Sequence, residues 1–299
     1  KSTKALYLGQ NKPHPLFSMT IDGKPYPLVE VSGGGWVAQP GGVAANYAVG
    51  DTGLVLTLEV GQDPFRLAAN ELRVRASLEN TSKEPKHVEV RGPQLTGYVL
   101  GNDLADNWYF AQSGSLRFDN QPTVIRARHS GWGSPVQFVA TFNPKSGDGL
   151  YLRTEDTKGD CRDYVVEKGA DGMRIGVEYP VRTVAPGETV EFGPAVIGVC
   201  GGDWRPAFHA YRDWLKRWYR PAWPRKQWFR EVFNFRQRFL YSWGPLFDHA
   251  AGKLNVPSAR EEGERNFGGV DYVHLFDWGS VPQYGRVYGR IGDYSPFEL

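Results

Sequence analysis

From Ala5 to about Val199 the chain alternates apolar and polar residues in short runs separated by turn signals, the pattern of strands that bury one face. In the run from Leu54 to Val60, Leu54, Leu56, Leu58 and Val60 point one way, and Thr57 and Glu59 point the other. The next run repeats this: Leu72, Val74, Ala76 and Leu78 alternate with Arg73, Arg75, Ser77 and Glu79, so one face meets a core and the other water. Asp22-Gly23 separates Phe17–Ile21 from Tyr26–Val31, and Asp171-Gly172 separates Tyr164–Lys168 from Met173–Tyr179. Both pairs read as hairpin turns, because glycine accepts the positive φ of a tight connection. With this many strands and no helices between them, the first 200 residues are expected to form a two-sheet antiparallel β-supersandwich rather than a parallel sheet.

After Gly201-Gly202 the period changes. Asp203 is placed to cap a helix reaching about Tyr219, in which Trp204, Phe208, Tyr211, Leu215 and Trp218 form an apolar stripe at spacings of four and three. Pro206 falls in the first turn, Lys216, Arg217 and Arg220 suit the C-terminal end of the dipole, and Pro221 stops the run. Phe229–Tyr241 is apolar and basic without clean periodicity, so helix and strand both remain open there. Val270–Phe276 is a short, nearly continuous apolar run after Gly268-Gly269, as expected for a strand buried on both faces of a parallel sheet or barrel. These readings divide the chain into a sandwich domain over 1–200, a linker helix over 201–226, and a second region over 227–299.

Composition narrows the function. The 299 residues, 40% hydrophobic and 23% charged, suffice for more than one domain. A balance of 35 basic against 33 acidic residues argues against a nucleic-acid partner. No apolar stretch approaches the roughly 18 residues of a membrane span, so no membrane partner is expected. The chain opens at Lys1 without methionine, and its first residues lack the layout of a signal peptide. Either a leader has been removed or the sequence starts inside a gene. The excess lies in 36 Gly, 21 Pro and 10 Trp, a composition suited to all-β and sugar-handling proteins, although core packing is the default role of any one Trp. Cys161 and Cys200 form no metal cluster and no disulfide scaffold; free buried thiols are the default, with one disulfide open in an oxidising compartment. No metal cluster, phosphate loop or Ser/His/Asp constellation stands out, so no cofactor and no metal site is expected.

Gly147-Asp148-Gly149-Leu150-Tyr151-Leu152-Arg153-Thr154-Glu155-Asp156, followed by Gly201-Gly202-Asp203-Trp204 and Tyr211-Arg212-Asp213-Trp214 on a helix, resembles glycoside hydrolases and hydrolase-like relatives that carry a galactose-mutarotase-like supersandwich ahead of a (β/α)8 barrel, broadly akin to α-galactosidase and endo-α-N-acetylgalactosaminidase enzymes. The resemblance covers most of the chain from about Leu54 onward. It implies that residues 227–299 begin an incomplete catalytic barrel, with Val270–Phe276 as its first strand. Asp277 and Trp278, at the strand's end, would then line a sugar pocket, a carboxylate accepting hydroxyl hydrogen bonds and an indole covering the ring's apolar side. Asp293 joins them among Tyr284, Tyr288 and Tyr294, while Arg286 and Arg290 read as a solvated loop.

The two carboxylates of glycoside hydrolysis, about 5 to 5.5 Å apart for retention and about 6.5 to 9.5 Å for inversion, would lie on later strands outside this chain. No catalytic residue is therefore assigned here, and the chain alone is expected not to hydrolyse glycosides. Its partners would be a carbohydrate substrate and the remainder of the barrel, and the substrate class favours an extracellular or periplasmic setting. Two alternatives stay open. One is a non-catalytic carbohydrate-binding or scaffolding sandwich. The other is an aldose mutarotase, for which His129, beside Gly131-Trp132-Gly133, is the tempting acid–base residue. Glu155, Asp156 and Asp160 are read as a solvated hairpin-edge cluster.

Overall fold

The computed structural model describes residues 15–31, 35–62, 68, 70–113, 115–129, 134, 136–219, 228, 231–239, 247–248, 250–251, 253–255 and 257–276. The chain divides into two compact units, Lys1–Arg220 and Pro221–Leu299.

The first unit is mainly β and built from antiparallel sheets. Its strands are β1 (Ser18–Ile21), β2 (Lys24–Tyr26), β3 (Leu28–Glu30), β4 (Val37–Gln39), β5 (Gly42–Val49), β6 (Leu54–Gly61), β7 (Glu71–Asn80), β8 (Lys86–Tyr98), β9 (Trp108–Ser113), β10 (Ser115–Asp119), β11 (Thr123–His129), β12 (Phe138–Asn143), β13 (Asp148–Thr154), β14 (Arg162–Gly169), β15 (Gly172–Val184) and β16 (Thr189–Gly201). Six form one sheet in the order β11-β14-β15-β8-β1-β2. Ten form the other, β10-β9-β12-β13-β16-β7-β6-β5-β3, with β4 also on β5.

Alternation produces the interior between the sheets. Leu54, Leu56 and Leu58 of β6, with Val74, Ala76 and Leu78 of β7, pack against Met19, Ile21, Val88 and Val90 of the opposite sheet. A second cluster joins Tyr109, Val139, Leu150 and Leu152 to Tyr164, Val166, Met173 and Ile175. Two polar side chains close this interior. Asn107 bonds the Leu100 and Asp103 carbonyls, and the Lys168 ammonium donates to the carbonyls of Asn107 and Asn120 at 2.7 and 2.6 Å. Burial pulls the Lys168 pKa below its usual range.

The turns refine the sequence reading. Asp22 and Gly23 have φ of 49° and 80°, so both loop residues of the β1–β2 hairpin carry the positive φ of a type I′ turn. In the second hairpin the loop residues are Ala170 and Asp171, and Gly172, with φ 112°, is already the first residue of β15. The expected single strand over Tyr26–Val31 is divided at Pro27: β2 pairs with β1 in one sheet, whereas β3 pairs with β5 in the other. Proline offers no N–H to a ladder, which makes it a natural point for a chain to change sheets.

Helix α1 (Arg205–Trp218) lies on the outer face of the ten-stranded sheet, where Ala207, Tyr211 and Trp214 pack on Phe110, Phe138, Ala140 and Tyr151. The buried stripe is therefore centred beside the expected one, and Phe208 and Trp218 are exposed at its margins. Asp203 is not the cap residue; Trp204 is, and Asp203 accepts the Arg205 N–H at 2.8 Å from one position earlier. Cys161 and Cys200 are not joined in a disulfide, and both are half-buried. Burial pushes the Cys200 pKa up to about 11. No described helix is long and apolar enough to cross a membrane.

In the second unit, β17 (Phe235–Phe239) and β20 (Tyr272–Phe276) pair in parallel, Phe235 opposite Tyr272 and Phe239 opposite Phe276. Between them run the antiparallel pair β18 (Phe247–Asp248) and β19 (Lys253–Leu254), then helix α2 (Pro257–Phe267). The ambiguous Phe229–Tyr241 segment thus holds a strand, and it precedes the one expected to come first. The C-terminal strand begins at Tyr272 rather than Val270, because Asp271 turns its carboxylate to the Phe233 and Asn234 N–H groups at 3.1 and 2.8 Å, pinning the start of β17 to the start of β20.

Candidate functional site

Asp277, Trp278 and Asp293 lie outside the described residues, as do Arg286 and Arg290. The described chain reaches Phe276, the last residue of β20, and in sequence Asp277 follows it directly. Since β17 and β20 are parallel, both run out toward the same edge of their pair.

His129, at the end of β11, is committed to structure. Its Nδ1 is 2.7 Å from the Ser134 carbonyl oxygen and its ring stands edge-on to Tyr164. Among the described residues no carboxylate bonds to it.

The polar chemistry of the sandwich gathers instead on the outer face of the ten-stranded sheet. Glu71 and Arg73 begin β7, Tyr151 and Arg153 lie on β13, and Glu155 follows β13. The register places Gly198 and Val196 of β16 between the two strands. Having no side chain, Gly198 leaves room for the Tyr151 ring to reach across; a Cβ there would collide with it. The Tyr151 hydroxyl donates to Glu71, which also receives the Arg153 guanidinium and, at 3.0 Å, the Ala68 N–H. Glu155 bridges Arg153 at 3.1 Å and Arg73 at 2.8 Å.

Arg153 is only 1% exposed and Glu71 3%. Burial alone would raise the Glu71 carboxyl, but the hydrogen bonds from Arg153 and Tyr151 outweigh it and hold the group below its usual range. Burial and the bond to Glu71 push the Tyr151 phenol far above its usual value, so it stays a neutral donor. A second buried pair lies at the end of the same strand. Arg162 of β14 is 1% exposed and donates to Asp156, while its Nε reaches the Asp160 carbonyl at 3.1 Å. The expected solvated cluster is thus corrected: Asp156 is buried, Glu155 is half-buried with its side chain 7% exposed, both are ion-paired, and of the three only the Asp160 side chain faces water.

These groups were missed because Leu72, counted as a core residue, is 49% exposed, while its neighbours Glu71 and Arg73 are buried. The outer face of β7 passes into a covered region at that end. One signal was available in the sequence: Arg153 and Glu155 alternate with Leu152 and Thr154 on a strand whose other outward residue, Tyr151, is aromatic. What the arrangement can do is hold two positive and two negative side chains in fixed positions; among the described residues, no group of three or more His, Cys, Asp or Glu side chains could hold a metal ion.

No family model and no curated protein matches this chain. Among solved structures it is similar to the α-galactosidase from Lactobacillus brevis, at 12% identity over 86% of this chain and 38% of that chain, with a TM-score of 0.47. It is also similar to a GH36 α-galactosidase from Geobacillus stearothermophilus, at 12% identity, 77% and 36% coverage and a TM-score of 0.45. A putative aldose 1-epimerase from Klebsiella pneumoniae aligns at 12% identity over 60% of this chain and 56% of that one, with a TM-score of 0.41. The likeness is one of fold. The chain spans less than two fifths of the length of these α-galactosidases.

Proposed function

We propose that this chain is the sandwich-bearing portion of a glycoside hydrolase acting on O-glycosidic bonds of an oligo- or polysaccharide. The observation that carries the reading is the order of architecture along the chain: a two-sheet antiparallel sandwich, a helix folded onto its outer face, then a strand–helix–strand unit whose parallel pair ends immediately before Asp277-Trp278. A parallel strand–helix–strand unit is the repeating element of a (β/α)8 barrel, and such barrels build their sites at the C-terminal ends of the strands. In this reading β17 and β20 open the barrel, Asp277 binds sugar hydroxyls, Trp278 covers a ring face, and Asp293 is a third contact. The catalytic carboxylates belong to later strands.

The test uses the longer protein with an intact barrel. Asp277→Ala removes a charged acceptor, and each such hydrogen bond is worth roughly 1.5–3 kcal/mol, so kcat/KM should fall at least about tenfold. Trp278→Ala should lower it by stacking loss, and melting temperatures should change little in either variant. Unchanged kinetics with clear destabilisation would identify both residues as structural and sink the assignment.

A further inference from the structure

The ten-stranded sheet ends at β10, which pairs with β9 on one side and carries no strand on its other edge among the described residues. Register sorts its side chains between the two faces. Leu116 and Phe118 stand opposite Gln112 and Phe110 on the outer face, and Arg117 and Asp119 stand opposite Ala111 and Tyr109 on the inner one. A free strand edge flanked by apolar side chains is a template for a further strand.

The outer face of β10 is apolar although it is open to water. Leu116 is 64% exposed and Phe118 54%. The Phe118 ring is held among Trp108, Phe142 and Trp204 at centroid distances of 5.9, 6.1 and 6.4 Å, so it presents a fixed apolar surface. The inner face carries opposite charges two residues apart. Arg117 and Asp119 are both exposed, and both line a slot of about 580 Å3 between β10 and β11 that leaves room for further side chains. Among the described residues Arg117 has no carboxylate partner. Asp119 accepts the Asn120 and Gln121 N–H groups at 2.6 and 3.3 Å through Oδ1, which leaves Oδ2 for a cation.

We propose that β10 is the contact of a homodimer, in which a second copy lays its own β10 antiparallel along this edge and the sheet continues across a two-fold axis at Phe118. Charge selects both the partner and the register. Centred on Phe118, the pairing sets Arg117 opposite Asp119 of the copy and Asp119 opposite its Arg117, two cross-strand ion pairs from one short sequence. On the other face Phe118 meets Phe118 of the copy, which withdraws both rings from water. Centring on Arg117 instead would set like charges against each other, and a shift by a single residue would put inner side chains against outer ones. Pro122 bounds the pairing at one end, and a contact of this isologous kind closes at two copies. The contact is independent of the sugar chemistry proposed above.

The experiment is sedimentation velocity of the 299-residue chain over a micromolar concentration series, which should show a monomer–dimer equilibrium. Arg117→Asp sets acid against acid and Asp119→Lys sets base against base, and each should raise the dimer dissociation constant at least about tenfold. An equimolar mixture of the two variants should recover the dimer, because each strand then meets its opposite. Arg117→Asp changes an exposed side chain and should melt with the parent, so its effect on assembly stands whatever the loss of the turn bonds does to Asp119→Lys. A chain that stays monomeric throughout the series, a dimer of parental affinity in Arg117→Asp, or two folded variants that fail to pair in the mixture overturns the proposal. A monomer throughout would assign Arg117 and Asp119 to guarding the edge against other strands.

Discussion

Glu71 accepts from Tyr151, Arg153 and the Ala68 N–H while almost wholly withdrawn from water. Truncating one member of a buried ion pair strands the other, a loss of about 3–5 kcal/mol in comparable cases, so Glu71→Ala should lower the unfolding free energy of the first unit, measured by urea titration, by that amount. A loss within about 0.5 kcal/mol would show that the network is open to water. The same residue sets a pH dependence. Its carboxyl lies below its usual range in the folded state, so the unfolded chain takes up a proton first as pH falls from about 4.3. The stabilisation is complete above that pH and is lost as pH drops through the folded pKa. Glu178, where burial is outweighed by hydrogen bonds from Arg126 and Arg174, adds a shift of the same sign. Glu71→Gln should therefore flatten, without abolishing, the decline in stability below pH 4 in acid titrations followed by circular dichroism.

The two helices show where local rules change sign. Glycine within a helix usually costs about 0.5–1 kcal/mol against alanine, which would make Gly263→Ala in α2 a stabilising change. Here Gly263 is buried and a Cβ would run into Val270 Cγ2, while the Gly263 carbonyl accepts the Gly269 N–H at 3.2 Å. Gly263→Ala should expose the amides of β17 and β20 to faster hydrogen exchange, and Val270→Ala in the same chain should restore part of the protection. Unchanged exchange in the single variant would mean that helix and strand can separate freely. Helix α1 marks the boundary of what sequence reveals. Its existence and near-limits follow from apolar spacing, and the sandwich follows from strict alternation in runs such as Leu54–Val60. Which of its many aromatics meets the sheet most squarely does not follow, because Trp204, Phe208, Tyr211, Trp214 and Trp218 share one broad face of the helix. The Glu71–Arg153 network is illegible as well: outward polar residues look alike whether water or protein covers them, and only tertiary packing distinguishes the cases. The proposed sugar contacts Asp277, Trp278 and Asp293 rest on sequence alone.

For the molecule as a whole, sequence-distant pairing governs how the chain assembles. At the centre of the ten-stranded sheet, β7 pairs with β16 from Thr189 opposite Glu79 to Gly198 opposite Glu71, and in the other sheet β8 pairs with β15. Closing such long loops precedes any gain from the ladders, so refolding from urea is expected on the millisecond-to-second scale or slower. Full recovery of the fluorescence signal within microseconds would contradict this. The outermost rim of the large sheet carries a different consequence. There β3 and β4, three residues each, share β5 as a common neighbour, with Pro27 just before the first and Pro40 just after the second. Val29 and Val37 are 52% and 58% exposed on this rim, and a long uninterrupted strand bearing them would be a template for another chain's backbone. Cut into short pieces bordered by prolines, the described rim offers only three-residue lengths of strand on which another chain could stack, a poor seed for fibres despite the valines at its margin.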